Sequence, residues 1–290
     1  MLVRQKVLFN LISEFGGRIS RMRLVKLAFL FAHDSAGGPP AAAYQFLPYR
    51  FGPFSFTLYH DLDKLVDGGC LQILSRRDLC LSKDFAREET ALVNDTAYRI
   101  KRIVNDYGGL SLSVLVDLIY SHYPWFTLQS DLPNRQEIRP LTAECAIYTA
   151  GYEGLQVDGF VGLLLRNGIK SLIDVRANPI SRSYGFHGRT LARICRRFRI
   201  QYRHLPQLGV PSSWRVELND PADYDRLFQR YVTQVLKHRE DALTDLGVIM
   251  ASVPSALVCY ESDPRFCHRS RLANALSKIT SLEVLDLNGG

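Results

Sequence analysis

The first third of the chain repeats apolar residues three and four positions apart, a spacing that is typical of amphipathic helices. The pattern predicts helices over 4–15, 20–33, 92–106 and 111–122. Ser55 is a good N-cap, so a further helix is expected to begin after it and to end at Gly68-Gly69. The apolar stretches 71–74 and 79–81 flank a Ser-Arg-Arg-Asp turn and predict a β-hairpin. Helices followed by a basic hairpin are the outline of a winged-helix-like domain.

The second half alternates short apolar stretches with helical periodicity. The stretches predict strands over 145–149, 171–175, 201–205, 256–260 and 283–287. The patterns between and after them predict helices over 157–167, 187–198, 222–238, 240–251 and 269–278. Strands that alternate with helices favour a three-layer α/β domain with a largely parallel sheet.

These patterns divide the chain into three parts. We expect a mostly helical, winged-helix-like domain for binding DNA or a partner over 1–126, a linker over 127–144, and a catalytic α/β domain over 145–290. The linker has the composition of one, with Pro133, Asn134 and Pro140.

The composition favours a globular protein of the cytoplasm. Hydrophobic residues make up 47% and charged residues 22% of the chain. No apolar stretch reaches the ~20 residues that span a bilayer, and the basic start is interpreted as a helix and not as a signal peptide. The six cysteines show no Cys-x-x-Cys spacing, so free thiols in a reducing cytoplasm are expected.

Positive charge is concentrated in one segment, which lies between residues 176 and 203 and contains no acidic residue. Its arginines are Arg176, Arg182, Arg189, Arg193, Arg196, Arg197, Arg199 and Arg203. Because arginine grips phosphates with a planar fork of donors, the segment favours an anionic partner, and duplex DNA is the expected one. Tyr184 within the segment and Tyr152 after the first strand are expected to contact DNA through their rings.

Polar residues collect where the predicted strands end, and ligands in open α/β sheets bind beyond the carboxyl ends of strands. Asp174 ends the second strand, and the loop after the fourth contains Glu261, Asp263, Cys267, His268 and Arg269. Glu261 and Asp263 are candidates to activate water or stabilise a developing cation, while Arg176, Arg182 and Arg269 bind phosphates. This arrangement suits cleavage of an N-glycosidic bond. Hydrolysis of a phosphodiester with Mg²⁺ also fits, although it favours a denser group of carboxylates.

The thiols of this loop leave other chemistry open. Cys267 precedes a predicted helix, whose dipole together with Arg269 and His268 is expected to lower the thiol pKa, so it is a candidate nucleophile. The alternative is a buried structural cysteine. The spacing from Cys259 to Arg265 matches the phosphate loop of tyrosine phosphatases, but the acidic residues inside it would repel phosphate. A zinc site from Cys259, Cys267 and His268 is not expected either, since these residues lack the usual paired spacing and adjacent Cys and His do not easily chelate one tetrahedral ion.

Residues 147–287 resemble the domain-of-unknown-function family numbered 488. The resemblance rests on four segments in order: Thr149–Glu153, Ile173–Arg182, His204–Gly209 and Glu261–Arg269. It places the family's motif residues on Tyr152, Glu153, Asp174, Arg176, Pro179, Ser181, Arg182, Glu261, Cys267, His268 and Arg269. The resemblance implies no activity. Asp-x-Arg after a strand and a late cysteine loop also resemble rhodanese, a sulfur transferase, from which the acidic Glu261 and Asp263 depart.

Residues 4–125 are similar to the SocA-like antitoxin-associated family, Panacea. The similarity rests on Leu24–Leu27, Tyr49–Phe54 and Tyr120–Thr127. It implies a helical module that interacts with a protein partner or associates with DNA.

Three functions remain open. The first is a DNA-processing hydrolase without a cofactor, which cleaves the N-glycosidic bond of a damaged or modified base in repair or defence. The second is a non-enzymatic DNA-binding regulator or antitoxin-like module. The third is a rhodanese-like transferase that depends on Cys267.

Overall fold

The computed structural model of the protein describes residues 1–34, 43–82, 90–132, 138–215, 218 and 220–287. The chain divides into two compact units, Met1–Arg139 and Pro140–Gly290. Pro133 and Asn134 of the predicted linker lie outside the described residues. Within the described part of the chain, no helix is long and apolar enough to cross a membrane.

The N-terminal unit is mainly helical and has a small antiparallel sheet. Its elements are α1 (Val3–Glu14), β1 (Arg18–Ser20), α2 (Arg21–Ala32), β2 (Leu47–Tyr49), β3 (Gly52–Phe54), α3 (Phe56–Asp67), β4 (Leu71–Ile73), β5 (Asp78–Leu81), α4 (Asn94–Tyr107) and α5 (Leu112–His122). The predicted hairpin is β4 and β5, and β1 pairs with β5 to give the order β1-β5-β4. A strand between the first two helices that joins a later hairpin is the arrangement of a winged helix.

Serine caps explain where several of these helices begin. Ser55 accepts a hydrogen bond from the backbone N–H of Leu58 at 3.1 Å, as its sequence position predicts. Ser20 caps α2 and Ser111 caps α5 in the same way. The sequence pattern did not predict β1, β2 and β3. Pro48 and Pro53 argue against strands at β2 and β3, and β1 is a short segment of mixed polarity.

Lys26 is a buried cation in the N-terminal unit, with 2% of its surface exposed. Its Nζ donates hydrogen bonds to the carbonyl oxygens of Phe51 at 2.5 Å and Pro53 at 3.2 Å. Burial in this environment lowers the pKa of Lys26 to about 7.

The C-terminal unit is a parallel sheet between two layers of helices. Its elements are β6 (Ile147–Gly151), α6 (Val157–Arg166), β7 (Ser171–Asp174), α7 (Gly188–Arg197), β8 (Gln201–His204), α8 (Pro221–Gln234), α9 (Glu240–Ser252), β9 (Ser255–Cys259), α10 (His268–Thr280) and β10 (Val284–Asp286). The strand order is β10-β6-β9-β7-β8, and every neighbouring pair is parallel. The predicted α/β class with a parallel sheet is confirmed.

The strand order fixes which helices cover which face. The chain moves in one direction from β6 through β7 to β8, and in the opposite direction from β8 through β9 to β10. Since crossovers between parallel strands are right-handed, α6 and α7 cover one face and α8, α9 and α10 cover the other. Ile147, Ile173 and Leu257 accordingly pack in one core with residues of the last three helices.

The loops after β6 and β9 leave the sheet in opposite directions, although the two strands are neighbours. Such a switch point is where doubly wound sheets bind ligands, beyond the carboxyl ends of the strands. Gly151 and Cys259, which pair in register, are the last residues of these two strands. The residues around Cys259 therefore occupy the position at which this fold binds ligands.

Candidate functional site

The loop that follows β9 lies across the end of β6. The carbonyl oxygen of Tyr260 accepts hydrogen bonds from the backbone N–H groups of Tyr152 at 3.0 Å and Glu153 at 2.9 Å. Gly151 is required at the crossing, because a Cβ there would lie 1.9 Å from the carbonyl oxygen of Glu261. The side chain of Glu153 also accepts a hydrogen bond from the backbone N–H of Ser262 at 3.1 Å.

Arg269 holds this loop from inside the protein, which corrects the prediction that it binds phosphate. Its side chain is fully buried, and the guanidinium donates to the carbonyl oxygens of Glu261 and of Ser262, the latter at 2.9 Å. It also lies 3.6 Å from the Asp286 carboxylate. Its Nε is buried without a hydrogen-bond partner, but the side chain has no exposed surface, so Arg269 supports the loop from within the protein.

Two thiols and one imidazole meet beneath the loop, and we call Cys259, Cys267 and His268 the Cys–His cluster. Their ligand atoms lie within 4.8 Å of one another, and all three residues are buried. Cys259 Sγ is 3.6 Å from His268 Nδ1, and Cys267 Sγ is 4.0 Å from the same nitrogen. Cys267 caps α10 and His268 is its first residue, so the turn into the helix directs adjacent side chains to one point.

The tautomer of His268 follows from its hydrogen-bond partners. Nε2 lies 3.1 Å from the carbonyl oxygen of Val175, which only accepts, so Nε2 carries a proton. Nδ1 lies 3.1 Å from Nη2 of Arg215, which only donates, so Nδ1 presents a lone pair. His268 is therefore a neutral imidazole whose Nδ1 lone pair faces the two sulfur atoms.

Arg215 and Glu261 lie on the solvent side of the cluster. Arg215 Nη1 pairs with Glu261 Oε1 at 2.7 Å, and 33% and 18% of the two side chains are exposed. Glu261 Oε2 lies 3.2 Å from Cys259 Sγ. A thiolate and a carboxylate at this distance repel each other unless a proton or a cation is shared, and Arg215 is the nearby cation.

The two thiols differ in pKa. A hydrogen bond from Cys267 holds the pKa of Cys259 well below its ordinary value against the opposing effect of burial, and the Arg215 guanidinium lowers it further. Burial and the hydrogen bond to Cys259 raise the pKa of Cys267 well above its ordinary value. The expectation that the helix dipole and Arg269 would make Cys267 the thiolate is therefore corrected. Cys259 carries the thiolate character instead.

Asp174 and Arg176 form a buried hydrogen-bond network with each other and with two tyrosines. The Asp174 carboxylate accepts from Nε and Nη2 of Arg176 at 2.8 and 2.5 Å and from the Tyr202 hydroxyl at 2.6 Å. Arg176 Nη1 donates to the Tyr152 hydroxyl at 2.8 Å, and the Tyr152 ring stacks on Phe186 at 4.0 Å. These contacts correct three predictions, since Asp174 is not a free catalytic carboxylate, and neither Arg176 nor Tyr152 faces a ligand.

The other predicted residues lie nearer the surface. Asp263 pairs with Arg265 at 2.7 Å, and 81% of the arginine side chain is exposed. Arg265 therefore faces Asp263 and does not cover Cys259, which departs from a phosphatase loop. Tyr184 is half-buried.

Seven of the eight arginines in the segment 176–203 are exposed, Arg176 being the exception. Arg189, Arg193, Arg196 and Arg197 lie on the solvent side of α7 at helical spacing, opposite the buried Leu191 and Ile194. Among the described residues, no acidic side chain forms an ion pair with Arg182, Arg189, Arg193, Arg196, Arg199 or Arg203. We call these six residues the arginine face.

Part of the arginine face lines a groove of about 470 Å³ between α7 and the edge strand β8. Arg196, Arg199 and Arg203 lie along this groove. Because α7 runs back from the carboxyl to the amino ends of the parallel strands, Arg196 and Arg199 lie at the amino ends, while Arg182 and Arg189 lie near the carboxyl ends. Arg203 is the third of the four residues of β8. The face is thus on the α6–α7 side of the sheet, and the Cys–His cluster is on the α8–α10 side.

Sequence reasoning set aside one residue of the site and missed another. Cys259 was considered for a phosphatase loop and for zinc, and both were judged unsuitable from the sequence. Arg215 lies more than forty residues from Glu261 in the sequence, outside every recognised motif, and only the fold brings the two together.

The fold and site define a doubly wound α/β domain with a polar, thiol-containing site at its switch point. The family model described as "Domain of unknown function DUF488" matches residues 156–276, within this domain. The C-terminal domain is therefore similar to that family, while the resemblance of the N-terminal unit to the Panacea family remains a prediction. No curated protein and no solved structure gave a significant match to the chain.

Proposed function

We propose that the C-terminal domain binds duplex DNA through the arginine face and processes it at the carboxyl edge of the sheet. The observation that carries the proposal is the arginine face itself: six exposed arginines for which the described residues supply no acidic partner. Like charges held together on one surface repel one another, so such a face is stabilised by an anionic partner. A phosphate backbone matches it, because arginine presents paired donors in one plane.

The spacing of the face also fits a nucleic-acid strand. Arg189 and Arg196 are separated by seven helical positions, which is about 10 Å along the axis of α7. One strand of B-DNA places a phosphate about every 3.4 Å of helix axis. The exposed side of α7 therefore spans roughly three phosphates, and the groove beside β8 extends the contact.

The proposed chemistry is hydrolysis of an N-glycosidic bond with Glu261 as the catalytic carboxylate. Asp174 is excluded by its buried pair with Arg176 and Asp263 is turned toward Arg265, whereas Glu261 is partly exposed at the switch point. A carboxylate beside the sugar stabilises the oxocarbenium-like transition state of such a cleavage. Arg182 and Arg189, at the carboxyl ends of the strands, connect the arginine face to this edge.

The N-terminal unit is proposed to assist through its hairpin. Arg76 and Arg77 are exposed in the turn between β4 and β5. The solvent side of α3, which would enter the major groove in a helix-turn-helix protein, presents Asp63, Lys64 and Asp67. This side is net acidic and unsuited to phosphates, which leaves it for a protein partner.

The proposal is tested by incubating the full chain with duplexes that carry damaged or modified bases, followed by alkali. Alkali-dependent strand breaks that disappear in Glu261→Gln support base excision. Tight DNA binding without any product would support the non-enzymatic regulator instead. Absence of both binding and product would overturn the proposal.

A further inference from the structure

The Cys–His cluster has no part in the proposed DNA chemistry. It nevertheless combines three groups that prefer metal ions, buried together at the switch point of the sheet. Thiolate and imidazole are the ligands that proteins use for zinc and related ions.

We propose that Cys259, Cys267 and His268 bind one divalent metal ion of the zinc class, with a fourth coordination position facing Glu261 and Arg215. This inference does not rest on the proposed DNA-processing function.

The two sulfur–nitrogen separations within the cluster are close to those of tetrahedral coordination. Zinc–sulfur bonds of about 2.3 Å and zinc–nitrogen bonds of about 2.0–2.1 Å place sulfur and nitrogen about 3.6 Å apart at a tetrahedral angle. His268 Nδ1 lies 3.6 Å from Cys259 Sγ and 4.0 Å from Cys267 Sγ. The objection that adjacent Cys and His cannot converge is removed by the turn into α10, which directs both side chains to the same point.

The surroundings of the cluster resemble those of metal sites in proteins. A histidine that binds metal commonly donates its other N–H to a carbonyl or carboxylate, which fixes the ring and the tautomer. Nε2 of His268 makes this bond to the carbonyl of Val175, so Nδ1 presents its lone pair where the ion would lie. Two rigid elements, the end of β9 and the start of α10, supply all three ligands.

The charges also balance. A divalent ion neutralises the two thiolates of Cys259 and Cys267, the imidazole is neutral, and Arg215 and Glu261 neutralise each other in their ion pair. Binding displaces the remaining thiol protons to solvent and removes the hydrogen bond from Arg215 to His268 Nδ1. Arg215 keeps its ion pair with Glu261, so its guanidinium still has a partner of opposite charge.

Three protein ligands and one open position are the arrangement of catalytic zinc sites, in which water takes the fourth position. Glu261 does not belong to the Cys–His cluster, although its Oε2 lies 3.2 Å from Cys259 Sγ. It is therefore placed beside the ion, where a carboxylate accepts a proton from metal-bound water.

The test uses the full chain, purified with reducing agent, stripped by a strong chelator and then titrated with Zn²⁺ or Co²⁺. We expect one ion per chain by elemental mass spectrometry. Co²⁺ should give the intense visible bands of a tetrahedral site and a thiolate-to-cobalt charge-transfer band in the near ultraviolet. Cys259→Ser, Cys267→Ser and His268→Gln should each weaken binding by more than the ~10- to 100-fold expected from loss of an outer hydrogen-bond partner. Cys145→Ser, which lies outside the cluster, should bind normally.

Further measurements keep the proposal falsifiable if a ligand variant fails to fold. In the unaltered chain, Zn²⁺ should raise the midpoint of thermal unfolding, and Arg215→Ala should keep the cobalt spectrum because Arg215 is not a ligand. Weak bands typical of octahedral cobalt would overturn the proposal, as would unchanged affinity in Cys259→Ser. A Cys259–Cys267 disulfide recovered from anaerobically purified protein would also overturn it, in favour of thiol redox chemistry.

Discussion

Asp174 and Arg176 form a bidentate ion pair in which the carboxylate has no exposed surface, with separations of 2.8 and 2.5 Å. Their position at the carboxyl end of a strand suggested a ligand site at these residues. Their partners are instead Tyr152, Tyr202 and the backbone, so the pair fixes the ends of β6, β7 and β8 relative to one another. A sequence motif can therefore identify a domain because its residues stabilise the fold around a site, and not because they bind the ligand.

Removal of one member of this pair should destabilise the C-terminal domain. Asp174→Ala leaves the Arg176 guanidinium buried without its counter-charge, a change that costs about 3–5 kcal/mol. Urea unfolding followed by circular dichroism measures the loss. Asp263→Asn, which removes an exposed pair, is the matched control and should leave the midpoint unchanged. Equal midpoints for Asp174→Ala and the unaltered chain would show that the network does not stabilise the fold.

The arginine face predicts a salt-dependent affinity for DNA. Replacing Arg193, Arg196 and Arg203 by Ala should weaken binding at all sequences. It should also reduce the slope of log K against log salt by about 0.9 for each phosphate that the variant no longer neutralises. Fluorescence anisotropy over a range of salt concentrations gives the slope.

The matched control for the arginine face is the triple replacement of Lys237, Arg239 and Lys278 by Ala, which removes the same charge from exposed positions in the α8–α10 layer. The control should leave the slope almost unchanged. If both triple variants lose affinity equally, net charge is responsible, and the arginine face is not a specific surface.

Glu261 and Asp263 should differ in their effect on turnover. Glu261→Gln keeps the size of the side chain but removes the negative charge proposed to stabilise the sugar cation, so product formation should fall by at least ~100-fold with DNA affinity retained. Asp263→Asn should keep activity, because its carboxylate faces Arg265. Single-turnover assays with a modified duplex separate the chemical step from binding. The opposite ranking of the two variants would assign the chemistry to Asp263.

Lys26 should make the stability of the N-terminal unit depend on pH. Its folded pKa of about 7 lies below the ordinary value of 10.5, so the unfolded chain binds more protons between these values. The free energy of unfolding should therefore rise with pH above about 7, with a slope that approaches ~1.4 kcal/mol per pH unit. Below pH 7 Lys26 is protonated in both the folded and the unfolded chain, so its contribution to the free energy of unfolding does not change with pH.

Comparison with Lys26→Met isolates the effect of Lys26 on the pH dependence. Both proteins carry Trp214→Phe, so that Trp125 in the N-terminal unit reports unfolding by urea. The variant should lose the positive slope between pH 7 and 9. A parallel pH dependence in the two proteins would mean that other groups cause it.

The sequence by itself determined the elements and the class of the C-terminal domain. Its strands and helices lie within about two residues of the predicted bounds, except that the helix predicted over 222–238 ends as α8 at Gln234. Buried strands and amphipathic helices leave periodicities that local chemistry enforces. The Ser55 cap and the β4–β5 hairpin followed from local rules in the same way. The short strands β1, β2 and β3 carried too little pattern to be predicted.

Only the tertiary structure decided the roles of the site residues. Arg176 and Arg269 look like phosphate ligands in the sequence, but both side chains are buried, and they hydrogen-bond to Asp174 and to the Glu261 loop respectively. Cys259 and Arg215 join His268 because the strand order brings distant segments to one switch point. A linear sequence gives the types of chemical groups present, whereas burial and hydrogen-bond partners decide which of those groups remain available to a ligand.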